Sequence, residues 1–108
     1  MSDRHQIMED RDFWMRLEYE ASAWLRNAEE KALGHFWIDG FVPERITDTK
    51  RGADVEGTVW MADDARQDGY RFVVSLPQKF LHRAKGSFSI GELVLDGEIK
   101  MLRVVVAK

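Results

Sequence analysis

Three histidines are the first groups to weigh for chemistry: His5, His35 and His82. No two stand at the His-x3-His or His-Glu-x2-His spacing that aims two ligands at one metal from a single helical face. His35 follows the end of a helical pattern, where a cation is favoured beside the last carbonyls. Asp63, Asp64 and Asp68 share one loop. A calcium loop needs alternating oxygen ligands and a distant bidentate Glu, so these acids read as a solvated hairpin tip. Glu56, beside Gly57, has no marked proton acceptor near it in sequence. Ser2, Ser22, Ser75, Ser87 and Ser89 lie in no Gly-x-Ser-x-Gly elbow. The run from Gly86 to Gly91 lacks a Lys-Ser/Thr ending and leads into a strand, so it does not read as a phosphate loop. There is no cysteine, which removes disulfides, thiolate metal sites and cysteine nucleophiles together. No catalytic constellation emerges, and neither metal nor cofactor is expected.

Charge is the patterned feature. The 108 residues carry a net charge of -3, but unevenly. Residues 66–86 hold five basic side chains (Arg66, Arg71, Lys79, Arg83, Lys85) against the single acid Asp68. Residues 1–30 hold eight acids against four arginines. Three readings follow for Arg71, Lys79, His82, Arg83 and Lys85: they neutralise the acidic segment, they contact it on a second copy, or they bind an anionic partner. The acidic chain as a whole, and the lack of an aromatic ladder among the basic residues, argue against nucleic acid.

These side chains need a scaffold, and the length predicts one domain over residues 1–108. Ile7, Trp14, Leu17, Ala21, Trp24, Leu25, Ala28 and Ala32 fall mostly three or four apart, predicting a helix over 4–33 with one apolar face. Asp3 with Gln6 suits its start, Asp10 is a second entry point, and Gly34 suits its end. Thirty helical residues would span about 45 Å, more than the roughly 34 Å diameter of a compact chain this size. The overhanging turns would carry Ile7 and Met8 beside Phe13, as an interface for a second chain.

After Gly34 the period changes. Residues 35–42 are aromatic and β-branched, with Asp39-Gly40 as a hairpin turn or a bulge. Pro43 confines its segment to an edge or a strand start, and 47–54 reads as a polar loop. In 55–62 Val55, Gly57, Val59 and Met61 share one side; in 70–76 Tyr70, Phe72, Val74 and Leu76 do. Pro77 and Gly86 bracket a short helical turn. Residues 89–95 and 98–107 form a hairpin about Asp96-Gly97. The last strand changes parity, as a bulge or a central position would explain. The expected fold is therefore α+β: one long N-terminal helix packed across a strongly curved antiparallel sheet of about five strands, with a helical turn near 77–85. Trp14 and Trp24 are assigned to the core, and Trp60 is divided between core and surface.

The start is polar, and the longest apolar run is about four residues against the ~20 needed to span a bilayer. A soluble cytoplasmic protein is expected. The leading functional expectation is a non-catalytic domain working through protein–protein contact, by self-association as a homo-oligomer or with another protein. The alternatives are an anionic ligand or enzymatic pocket between helix and sheet, with Trp37, Trp60 and Tyr70 lining it and Arg71 as anchor, and weak nucleic-acid binding through 71–85.

Overall fold

A computed structural model describes residues 3–28, 37–82 and 88–107. Gly34, His35, Arg83, Lys85 and the 83–87 segment fall outside the described residues, as do the side chains of Asp3, His5 and His82.

The expected single rod is two helices, α1 (Asp3–Glu9) and α2 (Arg11–Ala28). Asp10 divides them. Its carbonyl accepts from the Trp14 N–H (3.2 Å) and its Oδ1 from the Phe13 N–H (3.1 Å), the bonds of an N-cap residue. The Trp14 indole N–H then reaches back to the Ile7 carbonyl at 2.7 Å, tying α1 to the first turn of α2. The break changes the fate of the expected interface. Ile7 and Phe13 are buried in the chain's own core, and Met8 packs partly buried against it. These three residues therefore do not form the free, overhanging surface that the long helix implied.

Five strands form one sheet: β1 (Trp37–Asp48), β2 (Gly52–Ala62), β3 (Gln67–Pro77), β4 (Ser89–Asp96) and β5 (Met101–Ala107). Their order is β1-β2-β3-β5-β4. All neighbours are antiparallel except β3 and β5, which pair in parallel from Arg71↔Met101 to Ser75↔Val105. The short helix α3 (Gln78–His82) and the β4–β5 hairpin make the crossover. The parity change in the last strand is that of a central strand: Leu102, Val104 and Val106 are buried, while Met101 and Val105 are half-buried. Ile99, expected in that strand, lies exposed in the 97–100 turn.

Asp39-Gly40 is a bulge, and a second irregularity follows at Pro43–Arg45. Pro43 lies on β1, an edge strand, where its missing N–H does no harm. The polar stretch expected as a loop over 47–54 is mostly extended, with only 49–51 turning. Polar residues on an edge strand carry the same composition as a loop.

The helices cover one face of the sheet. Leu17, Ala21 and Leu25 of α2 meet Ile38, Val55, Val59, Met61, Phe72, Val74, Leu102 and Val104 in one buried cluster. The centre is aromatic. Phe13 packs on Trp14, Phe80 and Phe88, and Trp14 on Phe41 and Phe72, with centroids 5.1–5.8 Å apart. Edge-on and tilted pairs at such distances add stability beyond the area they bury. Replacing Asp10 with Ala removes the α2 cap and is expected to cost about 1 kcal/mol. Urea unfolding monitored by circular dichroism measures this, and an unchanged midpoint would show that the break at Asp10 does not depend on its side chain.

Candidate functional site

Among the described residues, no helix lies against the opposite face of the sheet. Alternation assigns its residues: along β2 Asp54, Glu56, Thr58 and Trp60 point away from the buried set, and Ala62 shares their parity though it is itself buried. Register extends the face to Val42 and Trp37 on β1, to Ser75, Val73, Arg71 and Gly69 on β3, and to Met101, Arg103 and Val105 on β5.

One end of this face is aromatic. Trp37 pairs with Ala62, and Trp60 stands two residues before Ala62, so the two indoles are diagonal neighbours. Each remains 40% exposed. Trp60 has Gly40 opposite on β1 and Gly69 opposite on β3. A methyl group added at Gly69 would lie 3.2 Å from the Trp60 ring, so the indole extends over that glycine. Val42 and, across the sheet, Val94 are also exposed.

The middle of the face is a lattice of paired charges. Arg71 donates to Glu44 at 2.9 Å, the Thr58 hydroxyl donates to the other Glu44 oxygen at 3.2 Å, and Arg45 pairs with Glu56 at 2.8 Å. The bond from Arg71 is the main cause holding the Glu44 carboxyl below its ordinary pKa, with Thr58 adding to it. Glu44 lies beside the second β1 irregularity, which brings the Val42 carbonyl and the Glu44 N–H against β2. A Cβ at Gly57 would fall 2.1 Å from that carbonyl, so only glycine allows this approach.

The expected basic group is divided by the sheet. Arg71 is on the open face and already bonded to Glu44. Lys79 is on α3, in the layer that packs with α1 on the other side. Their nearness in sequence does not bring these two into one patch. Tyr70 points to the helix side and packs against the core, so it does not join Trp37 and Trp60 in lining one pocket. Trp24, expected in the core, is at the margin of the α2 stripe and 36% exposed. Met15 and Tyr19, missed by the stripe, form an exposed pair at i, i+4 on α2.

The loop expected over 63–69 is only a turn over 63–66, and Asp68 lies on β3. Asp63 accepts from the Ala65 and Arg66 N–H groups at 2.8 Å, which lowers its pKa, and Arg66 pairs with Asp68 at 3.2 Å. Among the described residues no group of three or more His, Asp or Glu side chains is arranged to hold a metal, and no helix is long and apolar enough to cross a membrane. No protein family, curated protein or solved structure matches the chain.

The α2–β1 contact adds a titrating group at the rim. The Ile38 N–H donates to Ser22 Oγ at 3.1 Å. Glu18, one turn earlier on α2, has its pKa raised by burial and then by the charge of Asp39. A raised carboxyl pKa means stability that is present below the unfolded value and lost as pH rises through the folded one. Glu18→Gln should therefore raise the melting temperature at pH 7. The difference should vanish as the pH falls below the carboxylate range; a pH-independent difference would mean that charge is not its origin.

Proposed function

We propose that this chain is a non-catalytic interaction domain that associates with a second copy of itself through the open face of the sheet. The observation carrying this reading is the pair Trp37 and Trp60, both exposed on a face that also holds charges of both signs. A two-fold contact is self-complementary, each residue of one copy meeting its counterpart set on the other. A face mixing Arg45, Arg71 and Arg103 with Glu44 and Glu56 can oppose itself without like charges meeting throughout. Aromatic and arginine side chains are the types enriched at the centres of such contacts.

The edges of the sheet favour face over edge. β1 carries Pro43, two register irregularities and the charged pair Glu44-Arg45; β4 carries an irregularity between Ile90 and Glu92. Proline, bulges and charges on an outer strand disfavour strand-to-strand addition. With Ile7 and Phe13 buried, it is the tryptophan face and not an overhanging helix that supports association.

Light scattering over a range of concentrations tests the proposal. The apparent mass should rise from 12.6 kDa towards twice that value. Trp60→Glu should weaken association by on the order of 2 kcal/mol or more, while its far-UV circular dichroism remains that of the folded chain. A mass fixed at that of one chain at every concentration would overturn the reading.

A further inference from the structure

Beyond the tryptophan end, the same face terminates in a cleft of about 390 Å³, within the roughly 300–1,000 Å³ of small-molecule sites. Its origin is topological. After Ser75↔Val105 the parallel strands part: β3 turns at Pro77 into α3, and β5 continues to Ala107. In open α/β sheets ligands bind outside the carboxyl ends of the parallel strands, where neighbouring connections diverge; β3 and β5, the one parallel pair in this sheet, part in the same way. Leu76, Pro77, Val105 and Val106 give apolar walls, and the 49–51 turn closes one side with Lys50 and Arg51.

That turn is fixed before any ligand arrives. Thr49 and Gly52 exchange backbone bonds at 3.0 and 3.3 Å, and Thr49 Oγ1 also accepts from the Gly52 N–H. The Gln78 N–H donates to the Arg51 carbonyl at 2.9 Å, fastening the tip to the start of α3. A Cβ at Gly52 would fall 2.1 Å from the Leu76 carbonyl oxygen, so the turn is pressed against the end of β3. Only the Lys50 and Arg51 side chains remain to adjust. Neither forms an ion pair among the described residues. The carboxylate within the cleft, Asp54, is engaged by the Ser75 hydroxyl at 2.8 Å.

We infer that this cleft binds a small organic anion, a carboxylate or phosphate monoester on a short apolar body. The anionic group meets Lys50 and Arg51, and the apolar body lies against Pro77 and Val105. Two cations against one carboxylate leave a net positive lining, and apolar walls reduce the screening of that charge. The site is separate from the tryptophan end, and its reading does not depend on self-association.

Phenyl phosphate titrated into the 108-residue chain, followed by amide chemical shifts, is the test; inorganic phosphate and phenol are its two arms. Saturable shifts should be confined to residues 49–54, 75–76 and 105–106, with a dissociation constant at or below about 1 mM. Each arm should bind at least about tenfold more weakly, since it lacks either the charge or the apolar body. The double variant Lys50→Gln, Arg51→Gln, altered only on an exposed turn, should lose about tenfold in affinity. Asp54→Asn keeps an acceptor for Ser75 and removes the repelling charge; it should tighten binding about threefold. Shifts spread over basic residues elsewhere, equal binding of inorganic phosphate, or a double variant that binds like the parent would each overturn the inference.

Discussion

The bond from the Trp14 indole to the Ile7 carbonyl is the constraint on which the arrangement of layers depends. It spans the break at Asp10, so it fixes where α1 leaves α2. It also sets the indole plane, and that plane determines how Phe41 and Phe72 pack beneath it. The preceding residue, Phe13, reaches the other way, to Phe80 of α3 and Phe88 before β4. Two consecutive aromatic residues thus gather both helical connections and the sheet around one point. A buried indole without an acceptor leaves a costly unpaired donor, so geometry here is enforced by polarity as well as by shape.

With one face of the sheet committed to that cluster, the other must meet water or a partner. The chain treats the two ends of this second face differently. At one end glycines flank an indole, leaving a broad flat surface. At the other the strands diverge and a fastened turn stands over the gap. Between them, Arg71, Glu44, Thr58, Arg45 and Glu56 satisfy one another. Removing water from such paired charges carries a desolvation cost, which their mutual attraction offsets only where the covering surface preserves those bonds.

The α+β class, the α2 stripe of Leu17, Ala21 and Leu25, and the alternation along β2 and β3 were all legible in the sequence, because burial on one side imposes a period that composition cannot hide. Asp10 as a second helix start was legible too, from its type and position alone. The insertion of β5 between β3 and β4 was not: strand order is decided by which register buries the most, and no local signal states it. The exposure of Trp60 could be suspected from its neighbours Glu56 and Thr58, whereas Trp24 shows the limit of reading burial from residue type. The cleft was hidden for another reason. Thr49, Lys50 and Arg51 look like any polar turn, and their role arises from Gly52 and Gln78 holding that turn against β3.

The position of β5 also bears on how a nascent chain acquires its structure. The strand that joins β3 to β4 follows every other element of the sheet in the chain. Until its residues emerge from the ribosome, Phe72 and Val74 have no neighbour on their open side, and the aromatic centre stays partly wetted. Non-local pairing of this kind slows folding and prolongs the exposure of apolar side chains. Closure of this side of the core therefore waits for the last of the five strands, when Leu102 and Val104 arrive beside Phe72 and Val74.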